Sequence, residues 1–498
     1  MNKIVKIFFV FIAIVILTQS FYVCAVNTNN KNDKTRGSVD VSKYNISVKV
    51  DADKHKINGK VLMKITNNTN KAIKRICIRN YAASILGKKG KSIISNLKID
   101  NKKTSIKKKK DKSVIYAVLK NRMLNPRAKC KLSIGFKTDI PQKDDRFGYH
   151  GKKGNQYINL SYCFPELAAY ENGKWLEYPY IKDGESNYNR IKNYTIRVTA
   201  PKYLKVISVG NEKQKGTFTK IIGKNVRDMA IVLSDCLKTK SKTVKGVKIN
   251  YFGNKSKYMK TFNRFQLATA VDCFRIYTDK FGKYPYKELD VVSDYVHGME
   301  FSGLVMCGIP DLKTYEDIEK KANYYKSSIV VAHEVAHQWF YNKVGNNPYI
   351  EPWLDEGFSD FCENYIYQFS NTKTLKKIRK EDERRGLYSL FEEMEYNQFC
   401  AIQKTEYENT NKKYKGKVNW AYRDFNRYSD YSQVVYRNGA YFLNCLKTEM
   451  GNKKFFNMMR DYCDAFAKKE ATTGGFIKKV LENDNSAGVK VIVKRFIN

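Results

Sequence analysis

The chain has 498 residues, which is too long for one ordinary core and predicts two or more domains. Its composition, with 42% hydrophobic and 13% aromatic residues, is globular and excludes a disordered chain. The formal charge of +43 indicates either an affinity for polyanions or a compositional bias. Because the lysines are spread along the chain, we favour the compositional bias. We therefore expect no nucleic-acid partner and at most a loose association with an anionic cell envelope.

Residues 1–25 have the pattern of a secretory signal peptide. Two lysines precede an apolar stretch, and Ala25 ends a sequence that fits a cleavage site. The apolar window that continues to residue 26 is also about as long as a membrane span, so a retained membrane anchor is the alternative. Residues 26–37 have the composition of a flexible leader. We therefore expect an exported protein, either secreted or attached to the outer face of the cell membrane.

From 38 to 250 the hydrophobic pattern has period two. Tyr44, Ile46 and Val48, for example, alternate with Asn45 and Ser47. Pairs of residues that favour turns separate the runs. This pattern predicts an all-β N-terminal domain without a catalytic constellation of its own.

The period changes near residue 255, and 251–498 is predicted to be a second, mainly helical domain. Apolar residues at helical spacing predict a helix over 257–281. A short strand region follows, and a second helix is predicted over 327–342. A third helix is predicted to begin near Pro352, a residue that favours the first turn.

The second of these helices carries the sequence His333-Glu334-Val335-Ala336-His337. Residues four apart lie on the same face of a helix, so both imidazoles can bind one zinc ion. Glu356 follows on the next predicted helix and can complete a set of two histidines and one glutamate, with the fourth position open. These residues predict a metallopeptidase with a single Zn²⁺.

The residues also indicate a mechanism. Glu334 lies beside the metal ligands and can take a proton from the attacking water. The tetrahedral intermediate needs a further donor for its oxyanion, and a tyrosine is suitable. Asp360 and Glu363 lie one and two turns beyond Glu356, where they either orient the histidines or face solvent.

The motif and the later Trp353-Leu354-Asp355-Glu356-Gly357 resemble the M1 aminopeptidases. The resemblance covers about 40–498. It implies an α+β fold, in which a saddle-like all-β domain precedes a mainly helical, thermolysin-like catalytic domain. The compact bacterial members of the family are the most similar in length.

Two further segments resemble motifs of that family. Gly298-Met299-Glu300 is similar to its G-x-M-E-N motif, although His297 replaces the first glycine and Phe301 the asparagine. By this resemblance Glu300 holds the free α-amine of a peptide substrate. The segment around Tyr436 is similar to the family's Y-x-K-G motif, which implies that Tyr436 is the oxyanion donor, with Tyr431 as the second choice.

The resemblance and the residues together predict an exported zinc aminopeptidase that acts on peptides with a free N-terminus. One alternative is a thermolysin-like endopeptidase, which Glu300 disfavours because a site that captures an amine does not suit internal bonds. The other is a basic cell-surface-binding protein in which catalysis is secondary.

Overall fold

Residues 37–109, 112–120, 122–387 and 394–497 are described by a computed structural model of the chain. The predicted signal or anchor, 1–25, and the leader up to residue 36 lie outside these ranges. Within them, no helix combines the length and apolar character that crossing a bilayer requires.

An eight-stranded sheet is the framework of the N-terminal domain. Its central strand, Val39–Asp51, pairs antiparallel with Lys56–Asn67 and parallel with Lys192–Thr199. The predicted alternation buries Tyr44 and Ile46 against the core and leaves the polar residues on the other face. From edge to edge the strands are Asn211–Lys215, Phe218–Val226, Lys192–Thr199, Val39–Asp51, Lys56–Asn67, Lys129–Asp139, Ser92–Ile99 and Lys102–Lys103.

Smaller sheets and one short helix, Tyr81–Leu86, cover the buried face of this sheet and complete the domain. One four-stranded sheet has the order Lys205–Ser208, Ile231–Ser234, Asn155–Leu160 and Phe147–Lys152. The other has the order Glu166–Leu167, Arg75–Arg79, Val114–Val118 and Ile106–Lys108, and a two-stranded pair joins Tyr170–Glu171 to Lys174–Trp175.

A five-stranded sheet begins the second domain. Its order is Leu237–Val244, Val247–Asn254, Glu288–Asp294, Leu304–Gly308 and Gly298–Phe301. Residue 250, where the sequence analysis placed the boundary, lies within the strand Val247–Asn254 of this sheet.

Helices form the rest of the second domain. The α-helices are Lys260–Phe281, Tyr315–Lys321, Tyr324–Ala336, Glu356–Phe361, Lys373–Arg384, Tyr396–Tyr414, Tyr428–Tyr431, Gly439–Met450, Asn452–Ala465, Thr473–Asn483 and Ala487–Phe496. Short 3₁₀ turns occur at Lys257–Met259, Pro352–Leu354 and Tyr422–Asp424, and π-helical turns at Cys362–Tyr367 and Ser432–Asn438. This β-rich domain followed by a helical one confirms the predicted α+β fold.

The helix predicted over 327–342 spans Tyr324–Ala336 instead. It begins earlier because the side chain of Asn323 caps it, accepting a hydrogen bond from the backbone N–H of Lys326 at 2.7 Å. It ends earlier because the chain folds into a tight turn after His337. We call Tyr324–Ala336 the site helix.

Arg227 and Asp228, at the end of a β-domain strand, hold the segments that flank the site helix. Arg227 Nε donates to Asn342 O at 3.0 Å. Asp228 accepts from the backbone N–H of Ser302 at 2.9 Å and from the hydroxyl of Tyr341 at 2.6 Å. Tyr341 has a φ of 104°, which is rare for a residue other than glycine, so the bond to Asp228 secures a strained turn. The β domain is thus part of the framework of the site.

Candidate active site

The two histidines of the motif face the same side of the site helix. Their ring centroids are 4.8 Å apart. The Nδ1 atom of His337 donates to the carbonyl oxygen of Phe340 at 3.2 Å, which directs its Nε2 atom away from the helix. His333 is held in the same way by Glu363, whose Oε2 accepts from Nδ1 at 3.1 Å. Both Nε2 atoms are therefore turned toward one point.

Glu356 lies at that point. Its Oε2 is 3.2 Å from His333 Nε2 and 3.3 Å from His337 Nε2. Asp355 positions it by capping the helix Glu356–Phe361, because its carboxylate accepts from the backbone N–H of Glu356 at 2.8 Å. Burial acts to raise the pKa of Glu356, but the hydrogen bonds from the two histidines hold it well below its usual range.

The two acids predicted to lie behind the histidines are both beside His333. Possible ligand atoms of His333, Asp360 and Glu363 lie within 4.8 Å of one another. Glu363 contacts the ring directly, and the burial of Asp360 together with the charge of Glu363 raises the pKa of Asp360 well above its ordinary value. Glu363 therefore orients the imidazole, and Asp360 lies next to Glu363.

Glu334 is buried on the site helix, next to the strand Gly298–Phe301. Burial raises its pKa to about 8; the neighbouring charge of Glu356 adds to this rise, and that of His333 opposes it. Its Oε2 atom is buried without a hydrogen-bond partner among the described residues. A buried oxygen of this kind needs a donor, which a water molecule beside the histidines can supply.

The strand Gly298–Phe301 brings three more predicted residues to the site. It is the edge strand of the five-stranded sheet, and possible ligand atoms of Glu300, Glu334 and His337 lie within 4.8 Å of one another. Gly298 lies against Glu334. The side chain of Met299 is buried in the core, so only its backbone is left to face a bound molecule.

Glu185 is a site residue that the sequence reasoning missed. It is buried, it accepts a hydrogen bond from the hydroxyl of Tyr162, and its charge raises the pKa of Glu300. Burial is the largest cause of that rise, and the charges of Glu334 and Glu356 add to it, while Arg146 opposes it. The segment around Glu185 has no regular secondary structure, so no periodicity marked it. The cleft contains more carboxylates than cations.

Asn342 and Gln338 connect the site helix to the edge strand and were also missed. Asn342 Nδ2 donates to the carbonyl oxygens of Glu300 at 2.8 Å and His337 at 3.2 Å. The Gln338 side chain donates to the carbonyl oxygen of Phe301 at 3.2 Å and accepts from the backbone N–H of Gly303 at 2.9 Å. The position of Gln338 directly after the motif was the one available signal.

Tyr436 lies over the ring of His333. The two rings are nearly parallel with centroids 6.0 Å apart, and the pKa of Tyr436 is raised well above its usual range by burial, by the charge of Glu356 and by a hydrogen bond to Glu356. Tyr436 belongs to a π-helical turn, a feature that is frequent at functional sites. Tyr431, the second choice, packs behind Tyr436 at 5.8 Å between ring centroids.

This donor set fits a zinc ion. Two imidazole nitrogens and one carboxylate oxygen converge within 4.8 Å, and the outer nitrogen of each histidine is already hydrogen-bonded. Such a set of three ligands with one open position is typical of catalytic zinc. His333, His337 and Glu356 are the residues that would hold it.

The site helix and the turn after it supply the two histidines and the candidate base, and the next helix supplies the third candidate metal ligand. This arrangement defines a site of the metal-dependent hydrolase class. The sequence matches the peptidase family M1 domain over residues 265–496 and the peptidase M1 N-terminal domain over residues 41–163. Together these matches cover more than half of the chain. The chain belongs to peptidase family M1.

Similar proteins support the same assignment. Aminopeptidase M1-A of Oryza sativa is 25% identical over 243 residues, which are 46% of this chain and 24% of the rice protein. Human endoplasmic reticulum aminopeptidase 1 is 27% identical over 221 residues, or 43% of this chain and 23% of that protein. The matched stretches thus span about a quarter of these relatives.

Among solved structures, the M1 zinc metallopeptidase from Deinococcus radiodurans superposes with a TM-score of 0.61 at 16% identity, and the match covers 93% of this chain and 94% of that one. Yeast LTA4 hydrolase in complex with Bestatin gives a TM-score of 0.63 at 17% identity, covering 94% and 68%. At these identities the likeness shows the fold.

Proposed function

We propose that this chain is a zinc-dependent aminopeptidase that removes the N-terminal residue of peptides. The observation that carries the proposal is the position of Glu300. Its carboxylate is buried on the edge strand, within 4.8 Å of the candidate base Glu334 and the candidate ligand His337. A carboxylate this close to the hydrolytic centre can bind the ammonium group of a substrate. That ammonium group would then lie one residue from the bond that breaks.

The charge of the cleft supports this proposal. The pKa of Glu300 is raised by the charges of three nearby carboxylates, those of Glu185, Glu334 and Glu356. Arg146 is the cation that opposes them. One metal dication and one substrate ammonium would neutralise this surplus of carboxylates. A peptide without a free N-terminus would leave one buried carboxylate of this group uncompensated.

The edge strand supports a binding mode for the peptide backbone. Among the described residues Gly298–Phe301 pairs with a strand on one side only, so its other edge can bind an extended peptide through backbone hydrogen bonds. This would present the first peptide bond to Glu334. A structure of a variant of the Deinococcus radiodurans enzyme holds the tripeptide Tyr-Ser-Ala as substrate, and a short peptide is the substrate class that we propose here.

The residues divide the chemistry between them. When bound, a single zinc ion supplies Lewis-acid polarisation of the scissile carbonyl and acidifies the attacking water. Glu334 takes the proton of that water and passes it to the leaving amine. Tyr436 donates its hydroxyl proton in a hydrogen bond to the developing oxyanion, and Glu300 holds the α-ammonium group.

We further propose that the enzyme acts outside the cytoplasm, on the strength of the signal-like sequence of residues 1–25. Fractionation of cells that express the full chain would test this. Recovery of the protein in the cytosolic fraction would contradict it.

A panel of amino-acyl amides and peptides, each with a free or an acetylated N-terminus, tests the activity. We expect hydrolysis of the free forms, loss of at least 100-fold in rate on acetylation, and complete loss with a chelator that excess zinc reverses. Cleavage of acetylated peptides at undiminished rate would favour the endopeptidase alternative. Activity that survives chelation would contradict the metal assignment.

A further inference from the structure

The positive charge of the chain is concentrated in one domain. Residues 38–250 contain 48 Lys and Arg against 16 Asp and Glu, whereas residues 251–498 contain 39 against 32. The β domain thus has a net charge of +32 and the helical domain only +7. A bias in composition would affect both domains alike, so the imbalance needs a separate explanation.

Part of this charge lies on one face of the eight-stranded sheet. Directly paired residues of a sheet point to the same side. One row of such pairs crosses the strands: Lys213 pairs with Lys220, Lys220 with Arg197, and Ser47 with Lys60. The Arg197–Ser47 pairing joins the two halves of this row. The same face carries a second row in which Lys43, Lys64 and Lys131 are paired. Like charges directly opposite each other destabilise a sheet, and here they recur.

We call the solvent side of this sheet the outer face. Its cations are mostly exposed and are spread over seven neighbouring strands, which at the spacing of strands in a sheet is roughly 30 Å. They are Lys43, Lys49, Lys56, Lys60, Lys64, Lys98, Lys129, Lys131, Lys137, Arg197, Lys213, Lys215 and Lys220.

These cations have few partners within the protein. Over the described ranges, Lys56 is the one member of the set that forms an ion pair, with Asp139 at 3.6 Å. The carboxylates that share the face, Asp40, Asp51 and Asp139, lie at the ends of strands. The middle of the outer face is therefore a broad field of one sign.

Apolar side chains are exposed within this field. Phe218 is 42% exposed, Ile222 36% and Ile93 48%, and their cross-strand pairing places them on the outer face. Phe218 and Ile222 flank Lys220 on the same strand. Basic residues interleaved with exposed apolar ones are typical of surfaces that lie on a bilayer.

We propose that the outer face docks on an anionic phospholipid membrane. The lysines would contact lipid phosphates, and Phe218 and Ile222 would enter the boundary between headgroups and acyl chains. A membrane suits this face better than a soluble polymer because the charge extends in two dimensions and is accompanied by apolar side chains, whereas a polymer needs only a line of cations. None of the outer-face cations is a residue of the candidate active site, and the proposal does not depend on the peptidase activity.

Flotation of the full chain with vesicles tests the proposal. Vesicles of phosphatidylcholine with 30% phosphatidylglycerol are compared with vesicles of pure phosphatidylcholine. Binding to the pure vesicles measures the contribution of the apolar N-terminal segment. We expect binding that requires the anionic lipid and falls as salt is raised. Equal partition onto both kinds of vesicle would overturn the proposal.

A triple charge reversal, Lys60→Glu, Arg197→Glu and Lys220→Glu, locates the surface. The reversal keeps like charges in the pairing of positions 197 and 220 and replaces the Lys213–Lys220 repulsion by an attraction, so it does not weaken the strand pairing. The control reverses three exposed lysines on a helix of the other domain, Lys376→Glu, Lys377→Glu and Lys380→Glu. We expect the first variant to lower the partition coefficient at least tenfold and the second less than twofold. Equal effects of the two variants would refute the outer face as the docking site.

The double variant Phe218→Thr and Ile222→Thr separates a membrane from a soluble polyanion. Threonine keeps the preference for a strand at both exposed positions. We expect weaker binding to anionic vesicles with unchanged retention on immobilised double-stranded DNA at the same salt. If the lysine reversal abolished only the retention on DNA and left vesicle binding intact, the membrane would be the wrong partner.

Discussion

A β-carbon on Gly298 would lie 2.2 Å from Oε1 of Glu334, closer than real side chains ever approach. The edge strand can pass the candidate base only because residue 298 has no side chain. The glycine therefore sets the distance between the surface that binds the peptide and the carboxylate that takes the proton.

The variant Gly298→Ala is expected to displace the carboxylate of Glu334 and lower kcat by about 100-fold, since a displacement of about 1 Å at a reacting group has that effect. Zinc content should be unchanged, because the three ligands lie on other segments. Steady-state kinetics and metal analysis of the purified protein would measure both. Gly474→Ala is the matched control, because a β-carbon there has no neighbour closer than 3.9 Å. Full activity of the Gly298 variant would contradict this role.

Glu363 is expected to contribute to metal affinity through His333. It accepts the Nδ1 hydrogen bond, so Glu363→Ala leaves the imidazole free to rotate and should weaken zinc binding by about 10- to 100-fold. Glu363→Gln keeps an acceptor but removes the charge and should have a smaller effect. Competition with a zinc-binding dye gives the affinities, and excess zinc should restore most of the activity. Equal effects of the two variants would show that the charge of Glu363 matters more than its hydrogen bond, and a larger effect of Glu363→Gln would contradict the prediction.

The parts of the site that could be predicted are local in sequence. His333 and Glu334 lie in one helix and His337 directly follows its end, so local helical geometry brings these three together, and Glu356 begins the helix that follows. The alternating strands of the first domain were equally visible. The resemblance to the M1 family added Glu300 and Tyr436, which spacing alone could not have selected.

The parts that could not be predicted are contacts between distant segments. Glu185 approaches Glu300 from a loop more than 100 residues upstream, and Arg227 reaches Asn342 from the end of another domain's strand. Neither residue belongs to a periodic pattern that names its partner. The pairing of Val247–Asn254 with Leu237–Val244 and Glu288–Asp294 is likewise a property of the folded sheet.

Tyr436→Phe is expected to lower kcat by about 100- to 1000-fold with little change in KM, because the hydroxyl would act on the oxyanion and not on the bound peptide. Tyr431→Phe is the matched control: its ring packs behind Tyr436, and its loss should change kcat by less than tenfold. Circular dichroism would verify that both variants are folded. A larger effect at Tyr431 would exchange the two roles.

Zinc uptake at pH 7 is expected to release at least one proton. In the metal-free protein, burial lowers the pKa of His333, but hydrogen bonds to Glu356 and Glu363 outweigh burial and raise this pKa well above 6.5. The ring is therefore protonated. A metal on Nε2 requires the neutral ring. The affinity should therefore increase with pH until it passes the raised pKa. Calorimetry in two buffers of different ionisation enthalpy counts the protons, and heats that do not depend on the buffer would contradict the prediction.

Asn342→Ala is expected to impair the site through the backbone. The amide of Asn342 donates to the carbonyl oxygens of both Glu300 and His337, so its loss removes one hydrogen bond from each of these acceptors and weakens the connection between the edge strand and the site helix. We expect a loss of about 1–3 kcal/mol in the free energy of unfolding and, in addition, a higher KM and a lower kcat for peptides with a free N-terminus.

Asn67→Ala separates these two effects. Asn67 is equally buried and its amide also donates to two carbonyl oxygens, those of Lys71 and Leu124, both at 2.8 Å, but it lies at the end of the β-domain strand Lys56–Asn67. Its removal should reduce stability by a similar amount and leave KM and kcat unchanged at a temperature where both variants are folded. Equal kinetic losses in the two variants would mean that Asn342 acts through stability alone. A loss confined to Asn342 would show that this amide holds the amine-binding strand in register with the base.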